Sequence, residues 1–244
     1  MAVKICHNRR EFFFKGTVTG SGLLLAGLSG ITVASEKAGE EAEKDAAETE
    51  EGISPAEDLM REHGVLNRIL LIYDESLRRL NKKEDVPPKT LASAAKIIRT
   101  FIEDYHEKLE EDHLFPLFEK AGKLVDLVKV LREQHQAGRK LTDQIQQIST
   151  SADSLNEENS RQIGRALRQF VRMYRPHEAR EDTVLFPVIR TLVTPKQYDD
   201  LGEQFEEQEH KLFGEHGFEN TVEKVADLEK TLGIYELSQF TPRP

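Results

Sequence analysis

An eleven-residue phrase occurs twice in this chain, and its spacing limits the possible folds more than any other feature. Residues 106–116 read HEKLEEDHLFP and residues 177–187 read HEAREDTVLFP. Aligned without a gap, both open with His-Glu, carry Glu four residues after the His, and place Leu-Phe-Pro at eight to ten after it. On a helix, positions i and i+4 lie about 40° apart on one face and one turn along. Each phrase therefore offers an imidazole and a carboxylate from the same helix face: His106 with Glu110, and His177 with Glu181.

The residues around the two phrases read as helix. Charged residues make up 32% of the chain, aromatics 7%, and Trp is absent, a balance that suits an all-α fold better than a sheet. Ser54-Pro55-Ala56-Glu57 is a capping box with Pro at the first helical position, and it predicts a helix from about Pro55 to Asn81. NKKEDVPP breaks the chain, and a second helix is expected from about Lys89 to Ala121, its last turns bent or tightened by Pro116. A third is expected from about Leu124 to Ile148. A second capping box, Ser154-Leu155-Asn156-Glu157, opens a fourth that runs to about Val193, with Pro176 placed to kink it. Thr194-Pro195-Lys196-Gln197 repeats the capping signal and starts a helical tail. Four helices of roughly 25 residues, each about 37 Å long, are the parts of an up-down-up-down bundle. The bundle is expected over residues 54–193 and the C-terminal extension over 194–244, packed against it.

The first and third helices match as well. Leu59 precedes His63 by four residues as Leu131 precedes His135, and those histidines stand 43 and 42 residues before His106 and His177. The chain thus reads as two copies of one helical hairpin, paired about a pseudo-two-fold axis. Four imidazoles and two carboxylates converge in that arrangement. Buried together without partners they would cost several kcal/mol, and a pair of metal ions satisfies them all. Imidazole with carboxylate favours iron, manganese or zinc over calcium or magnesium.

These residues carry a resemblance. Two HxxxE motifs, each ending in LFP, with a lone His on each alternate helix, resemble the hemerythrin-like (HHE) non-haem di-iron four-helix bundles over residues of about 55–193. The resemblance implies metal ligands at His63, His106, Glu110, His135, His177 and Glu181, holding two iron ions joined by an oxo or hydroxo bridge, with manganese or zinc as alternative ions. Oxygen-carrying members have a second His one turn after the third-helix ligand, where this chain has Arg139, and end with a carboxylate five residues after the last His, where Glu181 stands at four. Fewer histidines leave more open positions, which weighs against simple reversible oxygen carriage.

Other candidates read more plainly. Glu107 and Glu178 repeat directly after their histidines, but a rotation of about 100° from them favours a solvated face over ligation or imidazole orientation. His113 has Val184 as its repeat counterpart and is read as packing. Glu110-x-x-His113 with Glu207-x-x-His210 fits the spacing of ferritin-like di-metal bundles, but leaves His63, His135 and His177 unexplained. His210 and His216 read as surface or packing residues of the tail, and Tyr105 and Tyr174 as core.

The start of the chain has a different composition. NRREFFFKG at residues 8–16 and the Gly-interrupted apolar stretch after it resemble a twin-arginine export signal over residues 1–34, cleavable after Ala34, with an uncleaved membrane tether as the alternative. Residues 35–53 follow as an acidic linker. The net charge is −10, of which residues 1–15 hold +3; the remaining acidity argues against nucleic acid and anionic membrane surfaces as partners. Cys6 is the lone cysteine, so a disulfide framework or thiolate cluster is excluded.

The leading expectation is an exported di-metal protein that binds or senses a small ligand, O2, peroxide or NO, with the twin-arginine machinery as its export partner. The alternatives are an oxidoreductase at the same site, consuming peroxide or donating iron for repair, and a metal-free helical interaction module. A repair protein of this kind carries an extra Cys-bearing segment, and Cys6 lies in the part expected to be removed.

Overall fold

The computed structural model describes residues 53–151 and 154–242. The export-type signal, Cys6 and the acidic linker to residue 52 lie outside the described residues. Among those described the chain is all-α, with six helices: α1 (Pro55–Lys82), α2 (88–121), α3 (Val125–Thr150), α4 (157–189), α5 (Pro195–Phe213) and α6 (Gly217–Thr231), and a short 3₁₀ turn at Leu237–Phe240.

Local chemistry sets the ends. The Ser54 hydroxyl accepts the Glu57 amide at 3.3 Å, while Pro55 takes a position whose N–H would have no partner. Lys83 closes α1 in the left-handed region, φ 57°. At α5 the Thr194 hydroxyl accepts from the Gln197 backbone amide at 3.3 Å and the Gln197 side-chain oxygen accepts from the Thr194 amide at 2.9 Å. The box expected at Ser154 does not form. Asn156 caps α4 instead, accepting the Asn159 amide at 2.8 Å, which is an equally good cap and leaves Leu155 free to pack on the core.

Helix α1 packs on α2 and α4, and α3 packs on α2 and α4, so the four helices close an antiparallel ring. Its interior is filled by such residues as Leu66, Ile69, Tyr73, Ile102, Leu131 and Phe170, none more than 1% exposed. Helices α5 and α6 lie along α1, and α6 also along α2. Phe213 sets its ring 5.6 Å from Phe101 and 5.5 Å from Tyr105. Arg68 grips Glu229 with two bonds of 3.0 and 2.5 Å.

The two long helices that carry the doubled phrase are not α-helical throughout. Helix α2 widens into π turns at Ile98–His106 and Glu110–Leu114, and α4 does so at Glu181–Leu185. The amides of Phe115 and Phe186 bond the carbonyls five residues back, at Glu110 and Glu181. Pro116 was expected to bend or tighten the last turns of its helix; the turn before it is widened rather than tightened. A proline ring collides with the carbonyl four residues before it in an α-helix, and inserting one residue per turn moves that carbonyl aside. The carbonyl of Glu111, which no proline N–H can serve, accepts from Arg132 at 3.3 Å. Pro176 lies inside the continuous helix Glu157–Arg180.

Candidate metal centre

All four bundle helices contribute to one buried cluster. His63 comes from α1, His106 and Glu110 from α2, His135 from α3, and His177 and Glu181 from α4; none exceeds 4% exposure. His63, His106 and Glu110 form one trio with ligand-capable atoms within 4.8 Å of one another, and His135, His177 and Glu181 form a second. The Nε2 atoms of His63 and His106 stand 3.1 Å apart, those of His135 and His177 3.3 Å.

Each carboxylate spans both trios. Glu110 reaches His106 with one oxygen at 3.9 Å and His135 with the other at 3.4 Å. One oxygen of Glu181 lies 3.1 Å from His177 and 3.4 Å from His63. None of the four carboxylate oxygens has a hydrogen-bond partner. Leaving two buried carboxylates in that state is expensive.

The outward nitrogens are all held. Nδ1 of His63 is 2.7 Å from Asp182, that of His106 2.8 Å from Glu62, that of His135 3.0 Å from Glu111, and that of His177 2.9 Å from the Gln134 amide oxygen. Carboxylates and an amide oxygen there fix a proton on Nδ1 and turn the Nε2 lone pair inward, the tautomer a metal-binding imidazole needs. The partners also obey the repeat: Glu62 and Gln134 each precede a lone His, and Glu111 and Asp182 each follow the phrase Glu. The phrase ends have a purpose of the same kind. Phe115 stacks on His135 and Phe186 on His63, centroids 5.6 and 5.5 Å apart, each ring walling in the other hairpin's imidazole.

The charges of the cluster conflict with one another. Burial opposes a charge on His63, but Asp182 and Glu181 outweigh it and push this imidazole up to about 10. Burial and the nearby His63 hold His106 well below the ordinary range, and burial holds His135 down to about 4 against the pull of Glu111. Burial and the neighbouring Glu181 drive Glu110 well up, whereas for Glu181 burial is overcome by His177 and His63 and the carboxyl is driven down. Two like carboxylates are thus accommodated by pushing their proton affinities apart. A pair of cations removes that conflict at both.

Sequence reasoning placed Glu107 and Glu178 on a solvated face, and both are buried, at 1% and 5% exposure. Glu107 accepts from the Tyr174 hydroxyl at 2.7 Å and meets Arg139 at 2.8 Å. Burial raises Glu178 to about 7. Gly138 makes room for Tyr174, since a Cβ there would sit 2.0 Å from the phenol oxygen. His113 stands apart from the cluster, 2.8 Å from the Gln208 side-chain amide and beside Phe205. With Glu207 exposed, the Glu-x-x-His alternative is not assembled.

The Hemerythrin HHE cation-binding domain model matches residues 54–189 and again 126–233. The chain belongs to the hemerythrin HHE family. Similar relatives are an uncharacterized protein of Mycobacterium bovis and uncharacterized proteins of two Mycobacterium tuberculosis strains. Each is 51% identical over 195 residues, covering 80% of this chain and 76% of its own length. No solved structure matches the chain. This HHE bundle uses Arg139, one turn past His135, to neutralise Glu111 at 2.9 Å and Glu107 at 2.8 Å. The outer partners Glu62, Gln134, Glu111 and Asp182 were missed because each alone looks like a surface residue; comparing the two hairpins position by position would have found them.

Proposed function

We propose that this HHE protein is a non-haem di-iron protein that binds or senses a small ligand of the O2, peroxide or NO type. The carrying observation is the pair of buried His-His-Glu trios whose carboxylate oxygens have no hydrogen-bond partner while every imidazole is anchored at Nδ1. His63, His106 and Glu110 would hold one ion and His135, His177 and Glu181 the other. Iron bound there supplies adjacent redox-active Lewis acids to which a small ligand can add.

The chain's own residues do the rest. Phe115 and Phe186 exclude water from two of the imidazoles, and the Nδ1 acceptors keep all four rings from turning. The six side chains come from all four bundle helices and none exceeds 4% exposure, which favours ligands of a few atoms over larger substrates. We further propose export, on the twin-arginine-type start NRREFFFKG, with the export machinery as partner; among the described residues no helix is long and apolar enough to cross a membrane.

The test is elemental analysis and a visible spectrum of protein from its native host. About two irons per chain with the charge-transfer bands of a coupled ferric pair are expected. Folded protein lacking stoichiometric metal, with unchanged stability after chelation, overturns the reading. Mixing the reduced protein with O2, H2O2 and NO then separates a stable adduct from turnover.

A further inference from the structure

The six inner side chains obey the internal two-fold, and the groups behind them hold matching positions but differ in charge. His106 is backed by the carboxylate of Glu62 at 2.8 Å, whereas its counterpart His177 is backed by the neutral amide of Gln134 at 2.9 Å. His63 is backed by Asp182 at 2.7 Å. Its counterpart His135 is backed by Glu111, whose carboxylate is shared with Arg139 at 2.9 Å and Lys108 at 2.6 Å.

The surroundings deepen the difference. Asp58 and Glu209 gather with Glu62 within 4.8 Å, and Arg61, 4.0 Å from Asp58, offsets part of that charge. On the other side Glu107 and Glu111 gather with His135 within 4.8 Å, but Arg139 meets both carboxylates, at 2.8 and 2.9 Å, and Lys108 meets Glu111 at 2.6 Å. Glu110 and Glu181 reach both trios and so cannot discriminate between them.

We propose that the two pockets are unequal by construction: the first cation binds at His63 and His106, and the pairing of Glu62 against Gln134 sets that order. The inference rests on the metal-centre reading above. A carboxylate at Nδ1 makes an imidazole a stronger donor through Nε2 than an amide does. Negative charge in a buried, low-dielectric site also acts on a dication with little screening. Both effects favour the first pocket. The pocket of His135 and His177 is then the labile one, filled last and emptied first.

Metal-free full-length protein titrated with Co2+ by calorimetry tests this, together with anomalous scattering from crystals given one equivalent of Co2+. Two binding steps separated by at least about tenfold are expected, with the first ion between His63 and His106. Glu62→Gln should weaken the first step by roughly 10–100-fold, the usual effect of losing such a partner, and merge the two steps. Gln134→Glu, which is nearly isosteric, should tighten the second step by a similar factor. Equal occupancy, a first ion between His135 and His177, or step affinities unchanged in both variants would overturn the inference while leaving a metal centre in place. Absence of Co2+ binding altogether would overturn the metal-centre reading as well.

Discussion

Two glycines on the bundle helices make opposite predictions. A Cβ at Gly138 would stand 2.0 Å from the Tyr174 hydroxyl and 2.7 Å from its ring, and that ring, 1% exposed, has nowhere to go. Gly138→Ala should cost about 1–3 kcal/mol through overpacking and break the bond from Tyr174 to Glu107. Gly64, on α1 beside His63, has nothing within 4 Å of the added atom, so Gly64→Ala should gain roughly 0.5–1 kcal/mol of helix stability. Thermal melts of the pair check both signs. Glu103 makes a pH prediction. Burial raises its carboxyl from 4.5 to about 7, against the Thr142 hydroxyl and Arg99, so the native state binds its proton more tightly than the unfolded state does. Its contribution to stability therefore falls as pH rises from about 4.5 to about 7 and is flat above. Glu103→Gln removes that loss, so its stability relative to the parent, read from melts across this range, should improve between pH 4.5 and 8 by up to about 3 kcal/mol. A constant difference across that range would refute the assignment.

At the scale of the helix, the i, i+4 spacing was enough to put His106 with Glu110 and His177 with Glu181 on one face each, because four residues return to the same face whether a turn is slightly wide or not; the matching hairpin intervals added His63 and His135. It was not enough for Glu107 and Glu178. An ideal wheel turns about 100° per residue and puts them outside, but Glu107 follows the π segment Ile98–His106, where each residue turns less, and α3 covers it with Arg139. The wide turns after His106 and His177 were also hidden: the LFP ending was legible as a repeat, but its proline read as a residue that bends or tightens a helix, not one that widens it. Pro116→Ala restores an N–H and lets the turn at Glu110–Leu114 relax towards α geometry, shifting Glu110 relative to His106. Metal affinity should then fall by up to about tenfold with the helical content unchanged, measured by competition with a chromogenic chelator. Unchanged affinity would mean that packing, not the proline, holds the turn open.

For the molecule as a whole, the bundle was legible from caps, breaks and hairpin spacing, while the depth of the tail's involvement was not, since amphipathic segments after a bundle give no sign of where they dock. Helices α5 and α6, with Leu232 at the end of α6, bury Phe205, Val225 and Leu232 at 2% exposure or less and bring Phe213 onto Phe101 and Tyr105. Arg79 donates to the Leu232 carbonyl at 2.6 Å, and Glu209 joins the acidic group behind the metal pocket. At about 1.5–3 kcal/mol for each large apolar side chain buried, stripping this layer would remove an amount comparable with the roughly 5–15 kcal/mol stability of a whole domain. Ending the chain after Thr194 should therefore abolish cooperative folding rather than leave a smaller bundle. Phe213→Ala is the milder probe: a loss near 2 kcal/mol, below the full cost of a buried Phe because this ring is only partly buried, should lower the melting temperature by roughly 4–8 °C and keep a single transition. Two resolved transitions, or a truncated chain that melts cooperatively and still binds metal, would instead make the tail a separate layer whose removal the centre tolerates.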